Sequence, residues 1–182
     1  YINKGRALLL LGKTDSIPYY VEKARKLCKS LPYNSGMVDV NLLSGTFLTD
    51  RGGYSLQVGI EELQNVTIQG TMMNRAKAYH QLALTYLKNE KNDLAEIMLD
   101  SMYNLLNQKE PPTYIHLDYQ PIINHYLKSN NQHKTEQYVR MMMQEQQTFK
   151  DKRLNFNLIE AIVNLQTEQH IQEFKIIQLR QP

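Results

Sequence analysis

The stretch AYHQLALTYLKNEKNDLAEIMLDSM, Ala78–Met102, decides how the rest of the chain reads. Tyr79, Leu82 and Tyr86 fall at helical spacing on one stripe, and Ala83 is a slim side chain where a partner helix can come close. Further on, Ala95, Leu99 and Met102 recur at i, i+4, i+7 and make a second stripe to set against the first. Asp93 followed by Glu96 has the spacing of a capping box and predicts the start of that second helix. The stretch reads as an antiparallel helix pair.

Composition agrees with a helical chain. At 182 residues it has length for one or two domains, and 42% apolar with 21% charged residues excludes wholesale disorder. Gly (8) and Pro (6) are scarce and Trp is absent, which suits long helices with short connections better than a turn-rich all-β fold. Asn and Gln together supply 31 residues, so amides carry much of the polar surface. A net charge of +3, with no Lys/Arg-dense face interleaved with aromatics, argues against nucleic-acid binding. The single cysteine, Cys28, excludes an internal disulfide framework. The longest apolar run, Ala7–Leu11, is far short of the roughly 20 residues that span a bilayer. The sequence opens at Tyr1, without Met and already inside a helical pattern, and reads as a fragment with no targeting segment of its own.

The spacing of Tyr79, Leu82, Ala83, Tyr86, Ala95, Leu99 and Met102 resembles the tetratricopeptide (TPR) repeat, departing only at Met102, where the family prefers Ala. The resemblance implies an all-α, right-handed superhelix of antiparallel helix pairs that holds another molecule and is not an enzyme. Weaker copies follow the same template. The second carries Val40, Leu43, Ser44, Phe47, Leu56, Ile60 and Leu63, and the fourth carries Tyr119, Ile122, Ile123, Tyr126, Thr135, Val139 and Met142. The first, with Ala7, Leu8, Leu11, Tyr20, Ala24, Leu27 and Pro32, is the poorest. Leu11, Phe47, Tyr86 and Tyr126 are then 36, 39 and 40 residues apart. A strict TPR period is about 34, so longer connections are expected. Eight helices are predicted, at 2–13, 16–30, 36–50, 54–66, 71–89, 93–108, 113–129 and 132–148, with breaks at Arg51-Gly52-Gly53, Pro111-Pro112 and Asn130-Asn131.

Residues 1–150 form the repeat domain in this reading, and 151–182 a capping or stalk helix without breakers. Within it, Leu165-Gln166-Thr167-Glu168-Gln169 followed by Glu173, Ile176 and Leu179 resembles the tract that closes the TPR region of a class of bacterial membrane-anchored regulators. In that class a membrane helix follows, and then a histidine kinase or a helix-turn-helix module. The resemblance implies a sensor domain on the periplasmic side of the inner membrane. It would bind a peptide, protein or small molecule on its concave face, signal through the tail helix and form a homodimer there. The alternative is a cytoplasmic TPR regulator that recognises a short signalling peptide.

TPR ligands are held by the first helix of each pair, at positions turned away from its core stripe. Carried onto this chain, those are Val38, Asn41, Gly45, Leu48 and Thr49, then Lys77, His80, Leu84, Leu87 and Lys88, then Leu117, Gln120, Asn124, Leu127 and Lys128. Asn41, Lys77, His80, Lys88, Gln120, Asn124 and Lys128 are the polar candidates for holding a ligand. No catalytic residue, metal site or cofactor is expected. His80, His116, His125, His133 and His170 form no metal-binding spacing, and no nucleophile elbow, Walker loop or dinucleotide motif occurs. Cys28 has no activating arrangement, and Glu61-Glu62 diverge as neighbours on a helix. Met72-Met73 and Met141-Met142-Met143 suit either core filling or an adaptable surface.

Overall fold

The computed structural model describes residues 1–30, 35–107, 115–151 and 153. Among them are eight helices and no strand, so the fold is all-α. The helices are α1 Ile2–Leu10, α2 Ile17–Ser30, α3 Ser35–Arg51, α4 Leu56–Gln69, α5 Met72–Lys88, α6 Asn92–Leu106, α7 Gln120–Lys128 and α8 over 132–151. None is long and apolar enough to cross a membrane. Pro32, the break at Pro111-Pro112, His170 and the tail helix with its tract at 165–179 lie outside the described residues. The chain divides into two compact units, Tyr1–His125 and Tyr126–Pro182.

In the first unit, connections of a few residues turn α4 back on α3 and α6 back on α5. α2 packs on α3 and α4 on α5, while α1 touches α3 and α3 touches α5, so α1, α3 and α5 lie side by side. Local chemistry fixes the ends. The Thr71 hydroxyl accepts from the Asn74 amide and caps α5. Gly12 (φ 67°) ends α1 in the left-handed region, and the Lys13 amide then donates back to the Leu8 carbonyl at 2.9 Å. Glu90 (φ 57°) ends α5 the same way, with Lys91 donating to Tyr86 at 2.9 Å.

The stripes of the opening stretch are core. Leu82, Ala83, Ala95, Leu99 and Met102 are fully buried, Tyr86 nearly so, and Tyr79 is half-buried. Each large side chain so buried stabilises the fold by about 1.5–3 kcal/mol. Leu82, Tyr86 and Ala95 share one cluster with Leu42, Ile60, Leu63, Val66 and Ala78, and Ile17, Val21, Ala24, Cys28, Val40, Leu43 and Phe47 form another between α2 and α3.

The first helix pair corrects the template. Leu11, expected in the core, lies beyond α1 and is 68% exposed, and Leu27 is 52% exposed. The buried residues are Gly5, Ile17, Val21, Ala24 and Cys28. The pattern therefore sits three residues earlier than expected. With that shift Gly5, Ser44 and Ala83 recur 39 residues apart, as do Ile17, Leu56 and Ala95. Val21, Ile60 and Leu99 keep the same interval, and so do Ala24, Leu63 and Met102. Only Leu56 of these twelve is less than buried. Leu8 replaces Leu11 as the equivalent of Tyr86, and the shared terminal hydrogen bond says the same independently.

Two further expectations change. α7 starts at Gln120 rather than 113, because 115–119 is not helical. There Ile115, Leu117 and Tyr119 are buried while His116 and Asp118 are exposed, the two-residue alternation of an extended segment on a core. Asp118 Oδ1 accepts from the Gln120 amide, and Pro121 occupies the first turn, where its missing N–H costs nothing. The capping box is not made either: α6 begins at Asn92 without a side-chain cap, and Asp93 lies in the first turn, favourable to the helix dipole.

In the second unit Asn130 (φ 53°) ends α7 and Asn131 Oδ1 accepts from the Lys134 amide to start α8. Tyr126 and Tyr138 are buried with their rings stacked at 5.6 Å, joining the two helices.

Candidate functional site

The side-by-side helices α1, α3 and α5 carry charged groups that meet across helix boundaries. Arg6 Nη2 on α1 donates to Asp39 Oδ1 on α3 at 2.6 Å. Both partners are more than a third exposed, so the pair adds at most about 1 kcal/mol to stability. Lys77 on α5 is half-buried and makes no hydrogen bond or ion pair among the described residues. Its ammonium is held below the ordinary lysine range, first by desolvation and then by the positive charge of Arg6, against a smaller opposing effect of Asp39. Arg6 and Lys77 thus act on each other across α3.

Arg6 and Asp39, with Tyr1, Ile2 and Asn3 and with Ala24, Leu27 and Cys28 of α2, line a cleft of about 280 Å³ of mixed polar and apolar character. Towards the other end of α3, Gln81 Nε2 of α5 donates to Asp50 Oδ1 at 2.8 Å and to Thr49 Oγ1 at 3.2 Å. Partial desolvation holds the Asp50 carboxyl above its usual range, although the Gln81 hydrogen bond and the charge of Lys88 oppose this.

The candidate residues disperse over this framework. Asn41 is half-buried on α3, and Lys88 is exposed in the last turn of α5. Gln120 Nε2 donates to Asn124 Oδ1 at 3.0 Å, so these two exposed amides satisfy each other in part. Lys128 is exposed and belongs to the second unit. His80 is buried, with its Nε2 2.8 Å from the Asp118 carbonyl, and fastens the extended segment 115–119 to α5 instead of facing a groove. Gly45, Thr49 and Leu117 are likewise buried.

Arg6 and Asp39 were not among the residues singled out from the sequence. With the first pair shifted by three residues, Arg6 becomes the equivalent of Gly45 and Leu84, and Ile2 the equivalent of Asn41 and His80. The misplaced register hid Arg6, whereas Asp39, on α3, lies at none of the positions that the resemblance assigns to a ligand.

Among the described residues, no group of three or more His, Cys, Asp or Glu gathers to hold a metal ion. Fold and site together define an all-α protein of helix pairs with a charged face built from α1, α3 and α5. No family model, curated protein or solved structure matches the chain.

Proposed function

We propose that this chain is a TPR-like binding domain, a superhelix of antiparallel helix pairs that holds a ligand on the concave face formed by α1, α3 and α5 and performs no chemistry itself. The 39-residue recurrence of buried positions supports the superhelix, as does the lateral packing of those three helices. The observation that carries the binding role is Lys77. A half-desolvated ammonium with a like charge nearby and no ion pair among the described residues is costly to an empty scaffold. Such a group is accounted for where a ligand completes its contacts.

The ligand is a peptide, a protein segment or a small molecule. The setting in a bacterial signal-transduction or transcription regulator, with relay and dimerisation through 151–181, is supported by the resemblance of the 165–179 tract. A thermal-shift screen of short peptides and small acids, with each hit mapped by backbone amide shifts, tests the binding role. Hits should perturb α1, α3 and α5 and weaken with Asn41→Ala or Lys77→Gln. Hits confined to α2, α4 and α6, indifferent to both substitutions, would refute it.

A further inference from the structure

We infer that a second cleft, between the start of α2 and the ends of α1 and α3, binds a free amino acid with a bulky apolar side chain. Asp15 and Asp50 hold its ammonium, Arg51 holds its carboxylate, and Phe47 and Leu9 receive its side chain. The inference does not rest on the concave-face reading, because none of these residues belongs to the group of Arg6, Asp39 and Lys77.

The cleft measures about 540 Å³, inside the range of small-molecule sites. Its wall is mixed, with more polar than apolar surface. Phe47 is buried and Leu9 half-buried, so the apolar part lies deepest. Asp15, Asp50 and Arg51 are exposed around it with Pro18, and the half-buried Thr14 is the one neutral polar residue of the lining. Such a wall suits a ligand with one apolar end and one charged end. An aromatic side chain can also lie offset against the Phe47 ring.

The charged groups specify the other end. Asp15, Asp50 and Arg51 line one space, yet none of them makes an ion pair among the described residues. Charges of both signs are therefore held open around the same cleft. An ammonium has three donors and can meet two carboxylates, and a guanidinium fork matches one carboxylate. A bare amine would leave Arg51 unanswered, and a bare acid would meet two like charges. An amino acid, with ammonium and carboxylate on one carbon, answers all three.

Asp50 is set in place before a ligand arrives. Gln81 of α5 donates to its Oδ1 at 2.8 Å and to Thr49 Oγ1 at 3.2 Å, and the buried Thr49 hydroxyl donates in turn to the Gly45 carbonyl at 2.9 Å. Oδ2 has no hydrogen bond among the described residues, and partial desolvation strengthens any contact it makes to a cation.

Calorimetric titration of the chain with L-phenylalanine, phenethylamine, 3-phenylpropanoate and L-alanine tests the three requirements separately. Phenylalanine should saturate below about 10 mM, and each of the other three should bind weaker by about tenfold or more. Asp15→Asn, Asp50→Asn and Arg51→Gln should each weaken phenylalanine by about tenfold, while Lys26→Gln, exposed on α2, should not. Asp15 and Arg51 are exposed, and Asn at position 50 keeps an acceptor for Gln81, so ligand-free melting midpoints should stay within about 2 °C of wild type. Should Asp50→Asn melt lower, the two exposed positions decide. No saturation by phenylalanine, equal binding of any of the other three probes, or indifference to Arg51→Gln overturns the inference. Amide shifts from bound phenylalanine that centre on Arg6 and Asp39 overturn it too, and leave the concave-face reading standing.

Discussion

His80 is held neutral in the folded chain. The Asp118 carbonyl accepts, so Nε2 carries the proton, and burial lowers the imidazole below its ordinary range of about 6.5. The Asp118 hydrogen bond and charge oppose that shift, and His116 adds to it. The unfolded chain takes up a proton near pH 6.5 that the folded chain refuses, so stability is full above that pH and falls as pH drops through it. Denaturant unfolding at pH 7.5 and 5.5 should show the loss, with a slope approaching about 1.4 kcal/mol per pH unit, and His80→Gln should flatten that part of the profile. Glu90 offers a second test at this scale. A residue with a Cβ pays for the left-handed region that glycine enters freely, so Glu90→Gly should stabilise the protein by about 0.5–1 kcal/mol in urea melts.

At the scale of elements, α3 and α4 approach closely at Gly59. A Cβ on Gly59 would lie 2.9 Å from Leu48 Cβ and from the Thr49 backbone nitrogen, neither of which can swing aside. Gly59→Ala should therefore destabilise by about 1–3 kcal/mol, measured by chemical denaturation, whereas Gly12→Ala would strain only a backbone angle in open space. The helix pair of Ala78–Met102 was legible because its stripes contain bulky residues flanked by alanines. The first pair was not. Its slim core position is Gly5 and its helices are short of aromatic stripe residues, so a template weighted to large side chains slid to Leu8 and Leu11. Gly12 marked the true end of α1 and would have set the register. At 115–119 the alternation of Ile115, Leu117 and Tyr119 is present in the sequence, but it is short, and Pro111-Pro112 followed by Thr113 signals a helix start just before it.

Across the first unit, the charged face could not be read from the sequence for a related reason. Arg6, Asp39 and Lys77 are far apart along the chain and come together only once α1, α3 and α5 are laid side by side. The 39-residue interval extends to solvent as well: Tyr19, Val58 and Ile97 are all about half exposed at equivalent places on α2, α4 and α6. Because the Arg6–Asp39 pair is exposed, removing it should barely affect the fold. Arg6→Gln is expected to shift the melting midpoint by less than about 4 °C by calorimetry.

The most direct measurement is an NMR titration of the Lys77 ammonium in wild type and in Arg6→Gln. Lys77 should lose its proton below the ordinary lysine range in the wild type and move up toward that range once Arg6 is neutral. A Lys77 that titrates like a free lysine, or one that does not register the loss of Arg6, would mean that the two cations do not flank a shared site.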